Sequence, residues 1–265
     1  MKSYGFTLAI FVRLLYNDNR ISKSNKGLVK LMTKKEFCVF SLMAVLSGFM
    51  IGIGGTASLL ANHLFGAAGR LIGAVLFSLG IYAIVTYGMK LFTGMVADIP
   101  KMGVKGFWQL PLCFFCNILG VAIVALLVWQ SPLADMVIPT GREIVAGKLA
   151  MDGFAIKCFC SAILCGWLIT LSVWASKYAP KKNLSASIEV LFPVVVFAFC
   201  GFDHSVANML YFYFYGEISW RVIGYILFSV AGNIVGGILL PLVILLKERA
   251  KAERAALDGA TVQKQ

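Results

Sequence analysis

Charged residues are scarce in this chain of 265 residues. They make up 14% of it, whereas hydrophobic residues make up 60%. A soluble domain carries roughly 25% charged and about 45–50% apolar residues. In water this chain would expose more apolar surface than it could bury, so the composition predicts an integral membrane protein, with the lipid bilayer as its partner.

Acidic residues are the scarcer of the charged types, and the net charge is +12. A basic balance can indicate a nucleic-acid partner, but here Lys and Arg lie between apolar runs. Apart from Lys90, which falls inside a span, they follow the positive-inside rule if the N-terminus is cytoplasmic. Only five then fall in outer segments: Arg70, Arg142, Lys148, Lys157 and Arg221. The pattern predicts an inner or plasma membrane protein with both ends cytoplasmic, and no nucleic-acid partner.

The sequence also lacks the patterns that an enzyme or a metal site needs. All seven Cys residues lie in apolar stretches, and Cys113 and Cys116 form a CxxC with neither a second CxxC nor a His pair. Buried free Cys packs as a small hydrophobic residue. With only two His residues and no nucleophile paired with a base, the sequence predicts no enzyme and no cofactor.

Six segments are long and apolar enough to cross a hydrocarbon core of roughly 30 Å. The second continues after Thr93 and the fifth resumes after His204; the six are 37–61, 71–89, 107–129, 154–174, 188–200 and 222–246. They form a transmembrane pore domain over 36–247. A cytoplasmic segment with an amphipathic interfacial helix precedes it (1–35), and a basic cytoplasmic tail follows it (248–265).

Two short motifs recur at equivalent places in the chain. Asn117–Gly120 in the third span is similar to Asn233–Gly236 in the sixth, and Val96–Asp98 is similar to Val206–Asn208. The offsets, 116 and 110, differ by one short insertion. Two related halves of three spans each predict an inverted repeat, which is a transporter design.

The second and fifth spans both break, at residues 88–94 and 201–205. Non-helical backbone at membrane depth is tolerated only inside protein or along a wet cavity, and the half-helix N-termini that follow suit small anions. His204 stands in the second break beside Asp203. An ionisable residue at this depth is costly and typically functional, although a break can also be a plain loop and a His a plain packing residue.

Four motifs together resemble the formate/nitrite transporters. Gly201–Met209 is similar to that family's Gly-Phe-Glu-His-Ser-Val-Ala-Asn-Met, and three shorter matches are Leu91–Thr93, Gly52–Gly55 and Gly232–Gly237. The similarity covers about residues 33–247. It implies an all-α, aquaporin-like fold of six transmembrane helices with a pore in each subunit of a homopentamer. It also implies passage of small monovalent anions such as formate, nitrite or hydrosulfide, with or without protons.

The resemblance also assigns pore residues. It places Phe197, His204 and Ile81 at an outer constriction, Leu91, Phe92 and Thr93 at an inner one, and Lys148 in the outer vestibule; Asp203 and Asn208 belong to the His motif. Three departures stand out: Lys90 for an acidic residue, Gly166 for an asparagine near the pore, and Asp203 for glutamate. They keep a hydrosulfide channel open as an alternative. A neutral-solute channel fits less well, because no Asn-Pro-Ala motif is present.

Overall fold

The computed structural model describes residues 32–103, 106–178 and 184–262. It divides into two units, residues 1–38 and 39–265. In the described part of the first unit, Thr33 and Glu36 form a capping box, in which each residue's backbone N–H donates to the other's side chain, at 2.8 and 3.2 Å. The predicted interfacial helix lies outside the described residues.

Regular structure in the described ranges is entirely helical, which confirms the all-α fold. The elements are α1 (Lys34–Thr86), α2 (Phe92–Met95), a 3-10 helix (Val96–Lys101), α3 (Gln109–Trp129), α4 (Ala134–Ala150), α5 (Phe154–Tyr178), α6 (Leu184–Cys200), α7 (Ser205–Tyr215) and α8 (Trp220–Val262).

Helix α1 folds back on itself at Gly66, whose φ of 54° and ψ of −124° are not helical. Glycines on the second arm touch the first arm. A Cβ added to Gly69 would lie 2.1 Å from the carbonyl oxygen of Ala61, and one added to Gly80 would lie 2.8 Å from that of Met50. Because the later residue of the second arm meets the earlier residue of the first, the two arms run antiparallel.

The number of membrane crossings stays a prediction. Length and apolar composition identify four candidate spans among the described residues, in α1, α3, α5 and α8, or five if α6 and α7 form one span bent by 43° at their break. A straight helix of the 53 residues of α1 would be about 80 Å long. Its two antiparallel arms each have the length of a single crossing or somewhat more.

Two of the outer segments between predicted spans are helical. His63 lies in α1 and is exposed, three residues before the fold-back. The connection after the third span contains α4, which packs against α7: the Arg142 side chain on α4 donates to the carbonyl oxygen of Phe214 at 2.8 Å. Helix α4 therefore holds α7, the helix that follows the second break.

Glycine lets two pairs of helices approach closely, and the contacts repeat in both halves. A Cβ on Gly120 of α3 would lie 2.0 Å from the carbonyl oxygen of Val45 on α1. A Cβ on Gly236 of α8 would lie 1.9 Å from the carbonyl oxygen of Ile163 on α5. Small residues permit such backbone contact between membrane helices. The α1–α3 and α5–α8 crossings are therefore equivalent.

These contacts predict the effect of adding one methyl group. Gly236→Ala should lower the melting temperature of the purified protein in detergent, because overpacking costs about 1–3 kcal/mol and a backbone carbonyl cannot rotate away as a side chain does. Gly147→Ala is the matched control, since a Cβ there meets nothing within 4 Å. Equal melting temperatures for the two variants would contradict the close crossing.

Candidate functional site

An asparagine side chain holds the backbone of the first break. The break separates α1 from α2, and Asn117 of α3 reaches into it. Asn117 Oδ1 accepts from the Phe92 N–H at 2.8 Å, while Nδ2 donates to the carbonyl oxygens of Lys90 at 2.9 Å and Ala44 at 2.7 Å. One buried amide thus satisfies a donor and an acceptor that the interrupted helix leaves unpaired.

Asn233 of α8 makes the same bonds at the second break. Its Oδ1 accepts from the Ser205 N–H at 2.8 Å, and Nδ2 donates to the carbonyl oxygens of Asp203 at 2.8 Å and Ala162 at 2.9 Å. The sequence analysis noticed the repeated asparagines but assigned them no role. Their position in a repeated motif, opposite the breaks, was the available signal.

The hydrogen bonds also set the register of the two halves. They equate Lys90 with Asp203 and Phe92 with Ser205, which is an offset of 113. The predicted match of Val96–Asp98 with Val206–Asn208 has an offset of 110 and is three residues out of register. The structure instead places Asn117 and Asn233 at equivalent positions in the two halves.

His204 joins the two breaks. It is 1% exposed and is the N-cap of α7, where its Nδ1 accepts from the Ala207 N–H at 3.0 Å. Its Nε2 lies 3.0 Å from Thr93 Oγ1 in α2. Because Nδ1 acts as an acceptor, the neutral ring carries its proton on Nε2 and donates to Thr93.

Aromatic rings border this polar pair. Phe197 of α6 stacks on His204 with ring centroids 5.7 Å apart, and the Phe77 ring meets Phe197 edge-on at the same distance. On the side of the first break, Phe92 packs edge-on against Phe114 at 5.0 Å. Phe77 was missed, and the predicted Ile81 lies one turn further along α1, fully buried.

Asp203 gathers three donors on one oxygen. Its Oδ1 accepts from Lys148 Nζ, from the Tyr225 hydroxyl at 2.8 Å and from Asn208 Nδ2 at 3.1 Å. Lys148 lies on α4 as an ion-pair partner of this carboxylate. The sequence analysis placed Lys148 in a vestibule but did not foresee its pairing, and Tyr225, fully buried on α8, was missed.

A cavity of about 700 Å³ leads to this site. Helices α1, α4, α5, α6, α7 and α8 and the second break line it, and Phe197 and His204 are among its lining residues. The charged residues in its lining are Arg70, Glu143, Lys148, Lys157 and Asp203. We call this cavity the vestibule. Leu91, Phe92 and Thr93 are buried at the first break, whereas the Lys90 side chain is exposed there.

Gly166 does not line the vestibule. A Cβ at this position would lie 2.4 Å from the carbonyl oxygen of Asn233, as one at Gly48 would lie 1.9 Å from that of Asn117. Any larger residue would push α5 away from α8. Gly166 therefore serves helix packing, and this departure from the family's asparagine lies at a helix crossing and outside the lining of the vestibule.

Two helix breaks that meet at a buried polar pair, with a vestibule leading to it, are typical of membrane channels and transporters. Comparison with known proteins agrees. The family model described as Formate/nitrite transporter matches residues 24–246, so the chain belongs to the formate/nitrite transporter family. It is a multi-pass membrane transport protein and not an enzyme.

Similar proteins include curated relatives and solved structures. An uncharacterized Bacillus subtilis transporter is 31% identical over 65% of this chain and 69% of its own length. A probable formate transporter of Methanothermobacter thermautotrophicus is 25% identical over 82% and 90%. The Escherichia coli nitrite transporter NirC is 24% identical over 68% of each chain.

Two solved structures share the fold. One, described as an FNT family ion channel, has a TM-score of 0.69 at 20% identity and covers 92% of this chain and 97% of its own. The other, a pentameric formate channel with formate bound, has a TM-score of 0.66 at 19% identity and covers 84% and 100%. The aquaporin-like fold is thereby confirmed.

The asparagine bonds predict a large effect for a nearly isosteric change. Asn233→Leu should destabilise the protein, because it leaves the Ser205 N–H and the Asp203 carbonyl buried without a partner at about 1–3 kcal/mol each. Thermal melting in detergent is the measurement. Asn62→Leu, a change of the same type in a partly exposed vestibule residue, is the control, and equal melting temperatures would refute the bonding role.

Proposed function

We propose that this protein conducts small monovalent anions of weak acids, such as formate or nitrite, across the plasma membrane. The observation that carries the proposal is the His204–Thr93 pair, the only polar side-chain bond that joins the two breaks in the described residues. Membership of the formate/nitrite transporter family supports the substrate class, as do relatives named as a probable formate transporter and a nitrite transporter.

The route starts in the vestibule and passes Phe197 to reach His204. A bare anion is costly in a narrow apolar passage unless donors replace its water. The Nε2–H of His204 and the hydroxyl of Thr93 are donors at that place, and they are already bonded to each other. An arriving anion takes the place of Thr93 Oγ1 as the acceptor of the His204 Nε2–H. This exchange requires no change in the backbone. The side chains of Leu91 and Phe92 border the remaining path.

The form in which the anion crosses follows from the bonding of His204. Its Nδ1 accepts from the Ala207 N–H, so protonation of that nitrogen would break the cap of α7. This favours a neutral imidazole that donates a hydrogen bond while the anion keeps its charge. The second candidate is passage as the neutral acid, in which Nε2 gives its proton to the anion and Nδ1 takes up a replacement proton from water in the vestibule, with release of the Ala207 N–H. The burial of the site favours this form because burial penalises the charge of the anion.

The cellular setting rests on charge and on fold. Lys and Arg flank the predicted spans mostly on the side of the two chain ends, which supports cytoplasmic termini in a plasma membrane. The likeness to a pentameric formate channel supports a homopentamer. Wide apolar surfaces on the helices agree with burial in lipid and against other subunits.

Replacing the pore histidine tests the proposal directly. His204→Phe should abolish formate and nitrite uptake into proteoliposomes, because it removes the donor and fills the passage with an apolar ring. His63→Phe makes the same change at the exposed histidine of α1 and should transport normally. Unchanged flux in the His204 variant, with both proteins intact by size-exclusion chromatography, would remove His204 from the route.

Formate flux measured with internal and external pH set separately distinguishes passage of the charged anion from passage of the neutral acid. The hydrogen-bond mechanism predicts that formate flux generates a membrane potential and moves no protons. The proton-transfer mechanism predicts electroneutral flux that alkalinises the compartment from which formate leaves. A pH-sensitive dye and a potential-sensitive dye in the same liposomes record both quantities.

A further inference from the structure

We propose that Arg70 is the anion-capture residue of the vestibule, and that its guanidinium favours planar anions with two oxygen atoms over the round hydrosulfide anion. The inference rests on the proposed function and narrows its substrate class. Lys148, the lysine expected to attract anions, is already paired with Asp203.

Lys148 is neutralised by its partner. Its Nζ pairs with Asp203, lies 3.4 Å from the Tyr225 hydroxyl and stands 5.4 Å from the centre of the Tyr225 ring. The Asp203 side chain is 5% exposed and the Lys148 side chain 18%. An incoming anion would have to displace a buried carboxylate that two further donors also hold. The pair therefore contributes little net charge to the vestibule.

Arg70 differs from Lys148 both in its exposure and in its bonding. It lines the vestibule and is exposed, and within the described residues its guanidinium makes no ion pair or hydrogen bond. The other arginines of this region donate to backbone carbonyl oxygens: Arg142 to Phe214, and Arg221 to Leu149. The Arg142 and Arg221 side chains therefore hold helices together. The N–H donors of Arg70 make no such bond in the described residues and are available to a ligand.

The fold fixes where Arg70 stands. It follows Gly69, which lies against the backbone of Ala61 in the antiparallel arms of α1. Its guanidinium reaches over Gly201, where a Cβ would lie 3.2 Å from Nη2. Gly201 has a φ of 72° and opens the break that leads to Asp203 and His204. An anion bound to Arg70 thus sits at the entrance of the route to His204.

The remaining charges of the vestibule do not cancel this attraction. Lys157 is a second exposed cation in the lining, and Glu143 is an exposed anion. With Lys148 and Asp203 paired, the lining keeps a positive excess. A guanidinium offers two parallel N–H donors that match a carboxylate or nitrite, whereas an ammonium group is a point charge. Arg70 therefore recognises shape as well as charge.

The test compares Arg70→Gln and Arg70→Lys with the wild type in proteoliposomes, using formate, nitrite and hydrosulfide. At low ionic strength Arg70→Gln should raise the half-saturating concentration of formate and nitrite about two- to fivefold, the size of an exposed charge interaction, and leave the maximal rate unchanged. Salt should remove most of the difference. Loss of the charge in Arg70→Gln should also raise the half-saturating concentration of hydrosulfide. Arg70→Lys should restore that value fully, but the values for formate and nitrite only in part.

Lys251→Gln is the control, since it removes one exposed positive charge from the C-terminal part of α8, outside the vestibule. Half-saturating concentrations unchanged in Arg70→Gln would overturn the capture role, and equal recovery of all three anions in Arg70→Lys would overturn the preference for planar anions. Either result is separate from a failure of the proposed function, in which the wild type itself would not transport these anions.

Discussion

Asn117 and Asn233 make the hydrogen bonds on which the rest of this fold depends. A helix that stops inside a bilayer leaves backbone donors and acceptors that water cannot reach, and each unsatisfied group costs several kcal/mol. Each asparagine supplies the missing acceptor and donors from a neighbouring helix. Without these bonds, continuous helices would be more stable than broken ones, and the breaks could not place side chains in the passage.

The glycine crossings are the second condition for this arrangement. An asparagine side chain reaches only a few ångströms, so α3 and α8 must approach their partner helices until backbones touch. Gly48 and Gly166 permit that approach, because each lies directly against the carbonyl group of one of the two asparagines. The glycines set the distance at which the asparagines can act, and through them they set the separation between Thr93 and His204.

The sequence predicted much of this site, but only where the signal is local. The apolar runs, the breaks at 88–94 and 201–205, and the His motif all depend on neighbouring residues, and Thr93, Phe197 and His204 do come together. Tyr225, Phe77 and the pairing of Lys148 depend on contacts between distant helices. Helix α4 was missed because charged residues interrupt its apolar positions, and the packing role of Gly166 was missed because its neighbour Asn233 is 67 positions away.

The pairing of Lys148 with Asp203 is the reason why the proposed route assigns attraction and passage to different residues. A cation buried beside the route has to be paired, because an isolated charge at that depth is costly. Once paired, it attracts an anion only weakly. A cation at the open end of the vestibule keeps its water and needs no partner, so its field acts on ions from outside. In the proposed route, capture at an exposed Arg70 followed by hydrogen bonding at His204 avoids the cost of burying an unpaired charge, and no strong pair has to form and break for each ion that crosses.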